Sequence, residues 1–172
     1  MAAGPPLRRI RLLVLDADGV LTDGRLYYGP GGEVTQAFHA RDGYGLKAVM
    51  AAGVTVAIIS GRRSAAVAAR CEELQITQVH QGVRDKGARL TQLLDQLGMA
   101  PAECACIGDD VPDVAMMHRA GLAIAVADAH PAARRAAHRR TRLGGGAGAV
   151  REVCDWLLAA RTAKPPRRRS RP

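Results

Sequence analysis

Short apolar runs at residues 10–15, 54–59, 76–79 and 104–107, with a fifth at 122–126, recur along the chain and leave little freedom in how it can fold. Between and after them lie stretches of helical periodicity, at 44–52, 64–74, 86–97, 111–118 and 149–160. A run that is apolar on both faces must be covered on both faces, and helix-length spacers join such runs by crossovers rather than hairpins. The pattern predicts an α/β domain with a doubly wound parallel sheet. Ligands of such sheets bind beyond the carboxyl ends of the strands, so the residues that follow each run carry the functional information.

The first run leads into LLVLDADGVLTDG, which crowds Asp16, Asp18 and Asp23 into eight positions. Carboxylates held this close repel one another unless a cation or a phosphoryl-transfer task accounts for them. Ser60-Gly61-Arg62 follows the second run, Lys86 opens the helix after the third, and Asp109, Asp110 and Asp113 follow the fourth. Taken singly these are ordinary: a DxD is usually a turn, Ser-Gly a strand-to-helix turn, and a lone lysine a solvated one. Their order, each after a strand, predicts one site for a divalent cation and a phosphoryl group. Hard oxygen donors favour Mg2+. Asp16 is then placed to attack phosphorus and Asp18 to exchange protons with the leaving oxygen and with water. Ser60 and nearby backbone N–H groups would hold the phosphoryl oxygens, and Lys86 would balance their charge. Asp109 would complete the metal shell with Asp113 behind it.

With 172 residues, 48% of them apolar, the chain is sized for one core, expected over residues 1–160. Residues 21–38 read as two strands around YGPGGE, a hairpin inserted after the first strand and too small to be a lid domain. The formal charge of +9 comes from two segments, Arg134 to Arg142 and the tail 161–172; outside them 14 basic residues face 16 acidic ones. The tail lacks apolar residues and sets like charges beside prolines, so it is expected to be disordered. With only 3% aromatics and no zinc-finger or RNA-binding motif, nucleic acid is not the expected partner. The four cysteines lack zinc-site spacing and read as reduced core residues. The apolar run at 12–15 is too short for a signal peptide and no stretch is long enough to span a bilayer, so the expected location is the cytoplasm, with no membrane partner.

DADGVLTDG, SGR, DKG and GDDVPD, in that order, resemble the four motifs of the haloacid dehalogenase superfamily phosphatases. The hairpin followed by FHARDGYGLKAVMAAG, then AIISGRRS and the late GGGAGAVREVCDWLL, narrow the resemblance to the capless 3-deoxy-D-manno-octulosonate 8-phosphate phosphatase family of lipopolysaccharide precursor synthesis. The resemblance implies a homotetramer in which hairpins meet centrally and a neighbour closes each cleft. It implies Asp16 as nucleophile and metal ligand, Asp18 as acid/base offering its backbone carbonyl to the metal, and Asp109 on Mg2+. It also implies substrate contacts from His39, Ala40, Arg41, Asp42, Gly43, Lys47, Arg62, Arg70 and Lys86, apt for a substrate with a carboxylate as well as a phosphate. The basic tail departs from the family outline.

Three other readings stand beside this one. A phosphatase of a nine-carbon ulosonic acid 9-phosphate shares the motifs, although those enzymes carry a glutamate where Arg62 stands. A phospho-receiver domain also combines aspartates, a hydroxyl, a lysine and Mg2+, but needs an aspartate after the third strand, where residues 77–83 offer none. A non-catalytic binding protein recruited through the tail is the third.

Overall fold

Leu12, Leu13, Val14 and Leu15 form strand β1 (Leu12–Leu15), and all four are fully buried, as a strand covered on both faces requires. The computed structural model describes residues 7–32 and 34–162. After β1 the chain makes a hairpin of β2 (Tyr27–Tyr28) and β3 (Val34–Thr35), antiparallel with Tyr27 opposite Thr35. It continues through α1 (Ala40–Ala51), β4 (Thr55–Ile59), α2 (Ala65–Leu74), β5 (Gln78–His80) and α3 (Lys86–Leu97). Then come β6 (Cys104–Gly108), α4 (Val114–Met117), β7 (Leu122–Ala125), α5 (Pro131–Ala136), β8 (Arg139–Arg140) and α6 (Ala149–Thr162).

Six strands form one parallel sheet in the order β5-β4-β1-β6-β7-β8. β1 lies between β4 and β6, with Leu12 level with Thr55 on one side and Cys104 on the other. The chain winds outward from β1 in one direction and later returns to wind outward in the other, so the end of β1 is the switch point where a crevice opens. α1 packs on α2 and α6, α3 on α4, and α4 on α5, giving a helical layer on each face. Leu13, Leu15, Leu46, Ile58, Leu90, Ile107 and Met116 are fully excluded from solvent within this core, each contributing about 1.5–3 kcal/mol. The fold is the doubly wound one expected, with a hairpin and, among the described residues, no cap domain.

The differences from expectation have local causes. The third strand pairs at Gln78–His80 rather than 76–79, because α2 ends on a left-handed Gln75 and the Ile76 N–H bonds back to the Cys71 carbonyl. α1 starts four residues early because the His39 ring accepts the Arg41 N–H and caps it. The expected helix 111–118 is a 3-10 turn, Val111–Asp113, followed by the single turn of α4. α5 and β8 are too short and too rich in arginine to show a hydrophobic period. The hairpin strands are only two residues each. α6 runs through Arg161 and Thr162, two residues beyond the expected domain limit, and Arg161 donates to the Ile10 carbonyl at the entry to β1. The rest of the basic tail, expected to be disordered, lies outside the described residues.

One contact positions the crevice from below. The Gly144-Gly145-Gly146 loop lies on the turn that follows β1: the Gly146 N–H donates to Val20 O at 3.1 Å, and the Gly145 N–H donates to Asp128 Oδ1 at 3.0 Å. A β-carbon at position 145 would land on the Gly19 carbonyl oxygen. Gly145→Ala is expected to destabilise the protein by about 1–3 kcal/mol through overpacking, lowering Tm by roughly 2–12 °C. Differential scanning calorimetry checks this, and an unchanged Tm would show that the loop can move off the turn freely.

Candidate active site

Asp16 is the residue at which β1 leaves the sheet, its N–H still donating to the Ile107 carbonyl at 3.1 Å, and its side chain is held at the seam between β1 and β6. Only 7% of the residue is exposed. Ala17–Leu21 then coil tightly, and Gly19 takes φ +84°. A side chain at 19 would strike the Asp109 carboxylate, so the glycine lets the two turns close on each other. Asp109 follows β6 and faces Asp16 across that seam.

Asp113 ends the 3-10 turn after β6 and is fully buried. Its Oδ2 accepts the backbone N–H groups of Asp109 at 2.9 Å and Asp110 at 3.2 Å, and its Oδ1 accepts the Lys86 ammonium at 2.6 Å. Lys86 opens α3, whose N-terminus Asp85 caps by accepting the Ala88 N–H. The same ammonium lies 2.7 Å from Asp16 Oδ1. Asp16, Asp109 and Asp113 each offer an oxygen within 4.8 Å of the others.

One lysine does not neutralise three carboxylates. Burial, then the negative charge of Asp113, pushes Asp16 up to about 7 despite Lys86. Burial, then Asp113 and Asp16, pushes Asp109 up to about 8. Burial alone would lower the Lys86 pKa, but the paired carboxylates outweigh it and hold the ammonium charged. Asp109 Oδ1 is buried with no hydrogen-bond partner. A buried, unpaired oxygen among crowded hard donors, short of positive charge, fits Mg2+.

A cavity of about 320 Å³ opens over this cluster, lined by Asp16, Asp18, Ser60, Arg62, Lys86 and Asp109 among others. Ser60 is buried at the end of β4. Asp18 is half-buried, with Arg62 Nε 3.8 Å from its Oδ2. All the residues expected to carry the phosphoryl chemistry therefore meet at one sheet edge, with Asp113 at their back.

The remaining expected contacts do not line this cavity. His39 caps α1. Ala40, Arg41 and Lys47 are exposed on α1. Asp42 is 2% exposed, and its Oδ1 accepts the Arg151 N–H at 2.7 Å in the first turn of α6, so within the subunit it joins two helices rather than facing a ligand. Gly43 is buried beneath the Arg70 guanidinium, which pairs with Glu73 at 2.7 Å and lies 6.0 Å from the Phe38 ring centroid. Sequence reasoning passed over Gln36, which is 7% exposed and donates to Asp18 Oδ1 at 2.5 Å. No local signal marks a glutamine just past a short hairpin strand as a partner of a residue eighteen positions earlier.

Residues 76–143 match the haloacid dehalogenase-like hydrolase family. The chain is 49% identical over 151 residues to the 3-deoxy-D-manno-octulosonate 8-phosphate phosphatase KdsC of Escherichia coli K12, covering 88% of this chain and 80% of that protein. Its fold superposes with a TM-score of 0.88 on the Moraxella catarrhalis enzyme of the same name, solved with magnesium, phosphate and KDO, at 41% identity over 90% of this chain and 89% of that one. The Yersinia pestis phosphatase structure gives a TM-score of 0.88 at 46% identity, over 91% of this chain and 84% of that one.

The crowded carboxylates give a signed pH dependence. Without a cation, folded Asp16 and Asp109 keep protons that the unfolded chain releases near the ordinary 3.8, so their contribution to stability is lost as pH rises from about 4 through about 7 and 8. Mg2+ needs the ionised carboxylates, so its stabilising effect grows over the same window, reaching about 2.7 kcal/mol at a hundredfold excess over Kd. Thermal melts at pH 5.5 and 8, in EDTA or MgCl2, should show the larger Mg2+ increment at pH 8 and its loss in Asp109→Ala. An increment independent of pH would count against a carboxylate site.

Proposed function

Since the chain belongs to the 3-deoxy-D-manno-octulosonate 8-phosphate phosphatase family of haloacid dehalogenase-like hydrolases, we propose that it hydrolyses that sugar acid phosphate to the free sugar acid and phosphate in lipopolysaccharide precursor synthesis. The observation that carries the reading is Asp16 beside the buried Lys86, with Asp109 and Asp113 in reach, at the switch point of the sheet.

In this reading a carboxylate oxygen of Asp16 attacks phosphorus while the bond from phosphorus to the sugar oxygen breaks, and Asp18 gives that oxygen its proton. Water then attacks the aspartyl phosphate and loses a proton to Asp18, which restores both side chains. Asp16, Asp109 and the Asp18 carbonyl would hold Mg2+, with Asp113 fixing the Asp109 backbone; when bound, the ion supplies neutralising charge for the phosphoryl oxygens. Ser60 and Lys86 hold those oxygens, Lys86 kept in place by its bond to Asp113. Arg62, at the mouth of the cavity, pairs with the sugar carboxylate.

The cleft has no cap, and we assign its closure to a neighbouring subunit in a homotetramer. Tyr27 and Tyr28 on the hairpin are 52% and 68% exposed and Tyr44 is 67% exposed, apolar surface that suits an interface. His39, Ala40, Arg41, Lys47 and Arg70 would reach substrate in a neighbour's cleft, with Asp42 and Gly43 supporting their helix. The proposed location is the cytoplasm, which suits four free cysteines, all buried. No described helix is long and apolar enough to cross a membrane.

A Mg2+-dependent phosphate-release assay over eight- and nine-carbon sugar acid phosphates tests the substrate, and preference for the nine-carbon ester would shift the assignment. Asp16→Asn is expected to abolish turnover with the fold intact, because an amide is a poor nucleophile and a poor metal ligand. Arg62→Ala should reduce kcat/KM for the sugar acid phosphate by about tenfold to a hundredfold, the loss of a charge-assisted contact worth roughly 1.5–3 kcal/mol. It should cost p-nitrophenyl phosphate, which has no carboxylate, far less. Equal losses on both would place Arg62 at the phosphate.

A further inference from the structure

Gln36 is nearly buried at the base of the hairpin, and both ends of its amide are committed. Its Nε2 donates to Asp18 Oδ1 at 2.5 Å, and its Oε1 accepts from Ser64 Oγ at 2.5 Å. Ser64 is itself fixed. Its Oγ accepts the Val67 N–H at 3.2 Å as the N-cap of α2. Gln81 grips its backbone, Oε1 accepting the Ser64 N–H at 2.6 Å and Nε2 donating to the Ser64 carbonyl at 3.2 Å. Turning the amide over would set an acceptor against the Asp18 carboxylate and leave the Ser64 proton without an acceptor. The chain from Gln81 through Ser64 to Gln36 therefore permits one amide orientation.

That orientation matters for Asp18. An amide N–H donates but cannot take a proton, so Oδ1 is occupied as an acceptor and a proton on Asp18 must sit on Oδ2. Oδ2 is the oxygen on the Arg62 side, and Asp18 and Arg62 both line the cavity over Asp16. We infer that Gln36 is a positioning residue for the phosphatase reaction: through its Ser64-oriented amide it fixes the Asp18 side chain and makes Oδ2 the oxygen that gives and takes the proton. The inference rests on the phosphatase reading. In the first half-reaction the proton leaves Oδ2 for the ester oxygen as that oxygen's bond to phosphorus breaks and the Asp16 oxygen bonds phosphorus; in the second, water gives a proton to Oδ2 as its oxygen bonds phosphorus and the bond from phosphorus to Asp16 breaks. Neither step changes the state of Gln36.

The role predicts a loss that follows the leaving group. A poor leaving group such as a sugar or simple alkyl alkoxide needs the proton in the transition state, whereas p-nitrophenolate does not. Gln36→Met keeps length and bulk and removes both hydrogen bonds. The test measures kcat/KM, which covers the steps through the first bond cleavage, on three esters: the sugar acid phosphate, an alkyl phosphate without a carboxylate, and p-nitrophenyl phosphate. Gln36→Met should lose on the order of tenfold on both alkyl esters and much less on the aryl ester, steepening the dependence on leaving-group pKa. Gln36→Glu, which faces Asp18 with an acceptor, should lose more in the same pattern. Ser64→Ala, which frees the amide to turn while leaving its donor in place, should lose less.

The simple alkyl ester separates this role from that of Arg62, whose removal should spare it. Equal losses on alkyl and aryl esters would make Gln36 a packing residue and overturn the inference, as would no loss on any ester. If Gln36→Met does not fold by circular dichroism, Ser64→Ala carries the same ratio test. A wild-type protein active on these esters with unchanged ratios in the variants overturns the inference alone. A wild-type protein that releases phosphate from none of them overturns the phosphatase reading and this inference with it.

Discussion

Lys86 is the only buried cationic residue among the described residues, and its ammonium is shared between Asp16 at 2.7 Å and Asp113 at 2.6 Å. Removing one partner of such a group leaves charge stranded in low dielectric, which costs far more than a surface ion pair is worth. The cluster is nonetheless incomplete: a third carboxylate, Asp109, stands beside the pair with an oxygen that no donor reaches. Protons satisfy the deficit in the cation-free state, which is why Asp16 and Asp109 hold theirs to about 7 and about 8. A divalent cation held by these carboxylates would satisfy it while leaving them ionised, as the proposed attack by Asp16 requires.

Holding that cluster together explains local features that otherwise look unrelated. β1 must end between β4 and β6, so that turns from both neighbours converge on one residue. Asp113 must use both oxygens, one on Lys86 and the other on the Asp109 and Asp110 backbone, so the acid that never leaves the core also shapes the loop carrying the acid that faces the cavity. Gly19 and Gly145 lie in contact because the turn after β1 is clamped between Asp109 above and the late glycine loop below.

How much of this could be read from the chain follows from the range of each interaction. Strands β1, β4, β6 and β7 are apolar on both faces, a local property, and their order predicts Asp16, Ser60 and Asp109 at one edge, with Lys86 opening the helix after the third run. The strand near Ile76 was displaced by two residues because a left-handed Gln75 is invisible to hydrophobic period. α5 and β8 carry too few residues for periodicity to register. Asp42 looked like a ligand contact because it is a charged residue in a family motif, and only the fold shows its carboxylate bound to a backbone 109 positions away. Gln36 carries no local signal for the same reason: its partners are at positions 18 and 64.

These differences of range divide the site into two kinds of parts. The groups proposed to carry phosphoryl chemistry follow strand ends, where the sheet fixes them and where the sequence order announces them. The groups proposed to adjust that chemistry sit on connections: Arg62 on a turn and Gln36 after the hairpin. An open sheet edge can host many reactions with the same strand-end residues, and what distinguishes one from another must come from such connections. Here the hairpin does two jobs with one short segment. Its first strand exposes Tyr27 and Tyr28, and Gln36, just past its second strand, donates to Asp18 Oδ1. Tyr27 pairs with Thr35, the residue before Gln36, so the exposed strand and the residue that holds the Asp18 carboxylate are neighbours across the hairpin.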